Sequence, residues 1–109
     1  MDPGNISLKE IHWDSIEPEE VKGETGISLW KEVTVNNARV GLAEYLPDYR
    51  SAEWCEKSHI IYCIEGELTI RLKNGREINL TKGNSLLLGQ NDHHIAITKN
   101  SSAKIFVVD

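Results

Sequence analysis

Residues 67–80 read ELTIRLKNGREINL, and this stretch restricts the fold more than any other. Leu68, Ile70 and Leu72 alternate with Thr69 and Arg71, which places the aliphatic side chains on one face of an extended strand. Ile78 and Leu80 repeat the alternation beyond Asn74-Gly75, the dipeptide with the strongest preference for a tight hairpin. Two amphipathic strands joined in this way need a second apolar layer to cover their inner face.

The rest of the chain supplies that layer. ISLWKEVTV ends at Asn36-Asn37, RVGLAEYL stops at Pro47, and HIIYCI runs to Glu65-Gly66. NSLLLG, HIAIT and KIFVVD follow, so about eight short strands are expected, separated by turn residues. No apolar period of 3.6 residues is sustained anywhere. The expected fold is all-β: a sandwich, jelly roll or small barrel. With 109 residues there is room for a single domain. Residues 1–22 read as an N-terminal arm with Ile6, Leu8, Ile11, Trp13 and Ile16 as apolar anchors, and residues 23–109 as the barrel. SIEPEEV is compatible with one helical turn, with Pro18 at its first position and Glu19 and Glu20 at the positive end of its dipole. KGETG then turns the chain at Gly23 and Gly26.

Composition excludes several classes of partner. The net charge is −5 and the twelve basic residues form no cluster, which argues against nucleic acid. No apolar run approaches the length of a membrane helix, and the first ten residues lack the features of a signal peptide. The expected location is therefore cytoplasmic. Cys55 and Cys63 are expected as free thiols in a reducing compartment, although a bridge between them is conceivable.

The chemistry gathers in SAEWCEKSH, residues 51–59. If AEWCE is extended, Glu53 and Cys55 share a face and Trp54 takes the other. His59 follows a short bend and opens an apolar strand. His93 and His94 precede another strand, where they must face opposite ways. Carboxylate, thiolate and imidazole are the three donor types used by zinc. The soft thiolate leans towards zinc over magnesium or calcium, and leaves iron, nickel or copper open. The alternative is a buried thiol with surface imidazoles. Cys63 reads as a core thiol, Trp54 as a packing residue, and His12, Glu65 and Glu67 as solvated groups. Trp30, Tyr45 and Tyr62 suit either core or pocket lining.

The run HIIYCIEGELTIRLKNGREINLTKGNSLLLGQNDHH resembles the core of a small single-domain cupin of the RmlC-like superfamily. Its Y-x-x-E-G-E-L cadence and the later L-x-x-G-x-S are typical. The resemblance implies a cupin-type jelly roll, or double-stranded β-helix barrel, that holds one metal ion. Residue by residue, Glu53 stands at the first His position of the first cupin motif, Cys55 at the second, and His59 at the Glu position. Gly66 closes the hairpin. Gly83 opens the second motif and His94 falls at its final His, with Gly89 and Asn91 replacing the usual Pro and Gly. Asn91 can supply a left-handed turn there. Trp54-Cys55 and the flanking KGETGISLW, AEYLPDY and KIFVVD are similar to the short cupins described by an Asp-His-Cys-Trp motif, although Ser51-Ala52-Glu53 departs from its acidic residue and His.

Together these features lead to a divalent metal, zinc favoured, held by Glu53, Cys55, His59 and His94, with a small organic molecule bound inside the barrel. The expected assembly is a homodimer, since the apolar arm and the sheet edges need cover. The alternatives are a module that binds, senses or is stabilised by its ligand without turning it over, or a metal-free Cys55 nucleophile with His59 or His94 as base.

Overall fold

The computed structural model describes residues 6–109. The first five residues of the arm lie outside it. Among the described residues, nine strands follow a 3-10 turn at Trp13–Ser15: β1 (Glu19–Lys22), β2 (Ile27–Val35), β3 (Ala38–Tyr45), β4 (His59–Glu65), β5 (Glu67–Leu72), β6 (Glu77–Thr81), β7 (Ser85–Leu88), β8 (His94–Ile97) and β9 (Ala103–Val108). They form two sheets, ordered β1-β2-β3-β9-β4-β7 and β6-β5-β8. Every pairing between strands is antiparallel. This is the jelly-roll arrangement expected from the sequence.

Alternation along the strands builds the core. Leu68, Ile70, Leu72 and Leu80 of the small sheet pack against Ala43, Ile61, Cys63, Ile105 and Val107 of the large one. The apolar run of β4 resolves into two faces. Ile61 and Cys63 are buried, while Ile60 and Tyr62 are 42% and 44% exposed on the outer surface. Tyr62 thus belongs neither to the core nor to a pocket. Thr69, on the outer face of β5, is buried and donates to Asn79 Oδ1 at 2.9 Å.

The hairpins follow the turn residues closely. Asn36, at φ 54°, and Asn37 form the two-residue link from β2 to β3. At the Asn74-Gly75 hairpin, Leu72 N–H donates to the Arg76 carbonyl and Gly75 N–H to the Leu72 carbonyl. Only Gly75 takes a left-handed conformation, at φ 97°. The link is therefore a three-residue loop ending in a left-handed glycine, not the two-residue turn that Asn-Gly most favours. Among the left-handed glycines, Gly66, between β4 and β5, makes the closest backbone approach. Its φ is +78°, and a Cβ there would meet the Ser102 carbonyl oxygen at 2.3 Å.

Two local expectations are corrected. Glu19–Lys22 is a strand, not a helical turn. The turn at Gly23–Gly26, closed by Gly23 N–H to the Gly26 carbonyl at 3.0 Å, folds this segment back along β2, so its backbone groups find strand partners. Pro18, which cannot donate, falls just before the strand begins. Helical geometry occurs earlier, where Ser15 N–H and Oγ both donate to the His12 carbonyl, at 3.0 and 2.7 Å. The second correction concerns Asn91. Among the described residues, the only non-glycine residues at positive φ are Asn36 and Asp48. The loop before β8 is closed instead by Asp92, whose Oδ2 accepts from Gly89 N–H at 2.9 Å.

Of the arm's apolar anchors, Ile6 and Leu8 are exposed, whereas Ile11, Trp13 and Ile16 are partly covered. Lys31 Nζ donates to the Trp13 carbonyl at 2.9 Å and holds the arm against β2. Cys55 and Cys63 are both free thiols.

Gly66→Ala should destabilise the fold by about 2 kcal/mol or more, because it combines a strained φ with a backbone clash. In a domain of this size that corresponds to a fall of roughly 8 °C or more in Tm. Thermal unfolding of the two proteins measures it, and an unchanged Tm would contradict the close approach.

Candidate metal centre

The two sheets bring together residues that are far apart in sequence. Cys55 lies in the connection between β3 and β4 and forms an isolated antiparallel bridge with His94, the first residue of β8. Cys55 N–H donates to the His94 carbonyl at 2.8 Å, and His94 N–H returns to the Cys55 carbonyl at 3.1 Å. His59, the first residue of β4, arrives from the large sheet. Its Nε2 lies 3.1 Å from Cys55 Sγ. The two imidazole rings meet edge to face, with centroids 5.0 Å apart. One donor atom from each of Cys55, His59 and His94 falls within 4.8 Å of the other two.

Each ring has a group behind it. His94 Nδ1 is 2.9 Å from the Asp92 carbonyl, an acceptor, so that nitrogen carries the proton and Nε2 faces the thiol. His59 Nδ1 is 2.9 Å from Asp109 Oδ2, with both side chains buried. His59 Nδ1 is nonetheless a buried nitrogen without a hydrogen bond among the described residues.

The imidazoles alter the thiol. Hydrogen bonds from His59 and then His94 outweigh burial and lower the Cys55 pKa to about 5. Burial opposes the charge on His94, but its contacts with Cys55 and the Asp92 carbonyl prevail and raise its pKa. A thiolate beside two imidazoles is an electron-rich pocket that a divalent cation would complete. Soft sulfur with two nitrogens is a donor set that zinc accepts, and a tetrahedral ion held by these three would keep one position for water or substrate. By donor chemistry and spacing, the residues fit a metal.

Glu53 lies outside the group of converging donors, although it lines the same cavity. The assumed alternation fails because the chain bends at Ala52 and Glu53 before reaching Cys55. His93 points away towards Glu56, at 3.9 Å. Trp54 is not a packing residue. It is 40% exposed, with Lys73 Nζ 6.0 Å from its ring centre. Cys63 is fully buried, as expected of a core thiol. His12, Glu65 and Glu67 are exposed.

A cavity of about 350 Å³ opens onto the three donors. Its walls include Trp30 and Tyr45, which the sequence left between core and pocket, and Tyr49. The rings form a continuous edge-to-face series, Trp30 to Tyr45 at 5.9 Å and Tyr45 to Tyr49 at 4.9 Å between centroids. Burial raises the Tyr45 pKa, so its hydroxyl remains protonated as a donor. Arg39 and Asp109 were missed by sequence reasoning. No spacing rule ties an Asp that follows the last strand to a histidine fifty residues earlier.

A selective thiol-alkylation titration of the metal-free protein tests these electrostatics. The folded Cys55 pKa lies below its ordinary value of 9.0, so the thiolate favours folding above that value, and this contribution is lost as pH falls through about 5. Cys55 should react with iodoacetamide with a midpoint near pH 5, and Cys63 should be protected. His94→Ala should move the Cys55 midpoint upward.

Compared by sequence, the chain matches no family profile and no curated protein. Compared by structure, it has several relatives. The polyketide cyclase RemF of Streptomyces resistomycificus aligns with a TM-score of 0.79 at 18% identity, over 94% of this chain and 78% of that one. A predicted oxalate decarboxylase of Thermotoga maritima aligns at 0.78 and 16% identity, over 92% and 96%. An RmlC-like cupin of Shewanella frigidimarina aligns at 0.75 and 16% identity, over 94% and 90%. At such identities the likeness concerns architecture alone, and with the strand order above it gives the chain the fold of a small RmlC-like cupin.

Proposed function

We propose that this protein is a metal-binding cupin that takes a small organic molecule into the cavity beside Cys55, His59 and His94. The observation that carries the reading is the convergence of one thiol and two imidazoles, from three separate segments, on one point of that cavity. Zinc is the favoured ion, with iron and nickel as competitors for the same donors. When bound, such an ion supplies Lewis acidity to a coordinated oxygen.

The chain's own residues do the rest. Cys55 contributes the negative charge, and the imidazoles keep it ionised. Trp30, Tyr45 and Tyr49 give the cavity an aromatic wall against which a small apolar or planar portion of a ligand can pack. Glu53, on the same cavity but apart from the cluster, serves as an acidic group on the substrate side, where it can accept a proton or become a fourth donor. Occupancy of that fourth position separates an enzyme from a closed binding or sensing module.

Cobalt substitution tests the reading. Wild type should bind one Co²⁺ per chain with a sulfur-to-cobalt charge-transfer band, and the d–d spectrum should respond to added anions that enter an open position. Cys55→Ala should abolish the charge-transfer band. His59→Ala and His94→Ala should each weaken binding by about 100-fold or more, and a chelator should lower the Tm of the loaded wild type. Full cobalt affinity in Cys55→Ala would sink the proposal.

The homodimer is also carried as a proposal. Ile60, Tyr62 and Leu87, the last 73% exposed, lie on the adjacent strands β4 and β7 of the outer face. Apolar side chains grouped in this way are commonly covered by a partner, here a second copy. Light scattering should give twice the chain mass for wild type and one chain mass for Leu87→Arg, whereas a monomeric wild type would exclude this pairing.

A further inference from the structure

The Arg39–Asp109 pair lies outside the hydrophobic core cluster, yet two side-chain and two backbone hydrogen bonds join it. Asp109 follows β9, and its side chain is 5% exposed. Arg39 Nε donates to Asp109 Oδ1 at 3.1 Å and Arg39 Nη2 to Oδ2 at 2.6 Å, a two-pronged contact. The backbones of the same two residues exchange both hydrogen bonds, at 2.6 and 2.9 Å. Arg39 is held in turn by Glu32 Oε1 at 3.0 Å and lies 5.1 Å from the centre of the Trp30 ring. The carboxylate is thus fixed in position from two sides.

Its remaining neighbour is His59. Oδ2, already taken by Arg39, is also the atom 2.9 Å from His59 Nδ1. An ionised carboxylate can only accept, so the nitrogen facing it must carry the ring proton. This leaves the lone pair on Nε2, the atom 3.1 Å from Cys55 Sγ. His94 reaches the same state by a different route, through the Asp92 carbonyl. The two rings differ in one respect: the bond behind His94 is formed, whereas His59 Nδ1 lies 2.9 Å from Asp109 Oδ2 without a hydrogen bond among the described residues.

We propose that Asp109, anchored by Arg39, is the positioning residue for His59. With a divalent ion at Nε2, Nδ1–H would donate to Asp109 Oδ2, the carboxylate oxygen that lies 2.9 Å from it. Asp109 touches neither ion nor substrate. It selects the ring tautomer and stiffens one of three ligands, the usual role of a carboxylate behind a metal-bound histidine. The proposal rests on the metal-binding reading above.

The experiment compares wild type, Asp109→Ala, Asp109→Asn and Arg39→Gln by competitive Co²⁺ titration. It also follows the imidazole N–H signals of each protein, with and without Zn²⁺, by nitrogen-15 NMR. Asp109→Ala should lose 10- to 100-fold in affinity. Zn²⁺ should bring out a slowly exchanging His59 Nδ1–H signal in wild type that is absent from Asp109→Ala, with the His94 signal unmoved. Asp109→Asn keeps an acceptor and should recover part of both. If Asp109→Ala does not fold, Arg39→Gln, which leaves the carboxylate but removes its anchor, should still weaken binding several-fold. Affinity within twofold of wild type together with an unchanged His59 signal, in either variant, overturns the assignment while leaving the metal site intact. Failure of wild type to take up cobalt overturns both.

Discussion

The candidate site depends on one backbone contact, the reciprocal pair of hydrogen bonds between Cys55 and His94. The segment between β3 and β4 contains no strand of its own. Without that bridge nothing would oblige its thiol to face inward. Two further bonds reinforce the attachment. Ser51 N–H donates to the Ala96 carbonyl at 3.0 Å, and Ser51 Oγ accepts from Ala96 N–H at 2.9 Å. Residues 51–55 are thereby laced along β8 at alternate positions, in place of an added strand. The large sheet then only has to deliver His59, and it does so because His59 opposes Leu88 at the mouth of the β4–β7 pair.

This construction resolves a conflict between burial and charge. His59 and His94 are 8% and 5% exposed and sit against an aliphatic core, where an unpaired polar group is costly. His94 Nδ1 is bonded to the Asp92 carbonyl, His59 Nδ1 lies 2.9 Å from Asp109 Oδ2, and their Nε2 edges share the thiol. A thiolate among imidazoles lowers the electrostatic cost of burying all three. The aromatic wall of Trp30, Tyr45 and Tyr49 meets the core on one side and the cavity on the other. Trp30 Nε1 accordingly donates to Ser28 Oγ at 2.9 Å instead of remaining unpaired.

How far the fold was legible follows from the range of the interactions. Leu68, Ile70, Leu72 and Leu80 are core residues because alternation is local and one face of each strand is buried. The hairpins at Asn36-Asn37 and Asn74-Gly75 are written in adjacent residues, although the second adopts a longer loop than the dipeptide alone suggests. Cys55, His59 and His94 were readable as candidates because thiolate and imidazole are metal donors, and both histidines open a strand. Glu53 was assigned from an assumed extended backbone, and two bends invalidate that assumption. Glu19–Lys22 looked helical because Pro18 and two acids suit a helix start. The pairing with β2 that outweighs this preference is a tertiary event, and local propensity does not contain it.

Arg39 and Asp109 show most clearly what a sequence conceals. Arg39 is the second residue of β3 and Asp109 follows β9, the two central strands of the large sheet, and they become neighbours only because those strands run antiparallel in the register that sets Val40 opposite Val108. Shifting that register by two residues would preserve every buried face but carry the carboxylate out of reach of Arg39, whereas its place behind His59 is set by the β4–β9 pairing of Ile60 with Val108. The hydrophobic pattern alone therefore does not determine this alignment. The two-pronged ion pair favours one register among those the core would accept, at the position where a carboxylate can stand behind a ligand. An ion pair with one member, Asp109, buried and the other, Arg39, partly exposed is better explained by the specificity of that alignment than by net stability, which such pairs seldom supply.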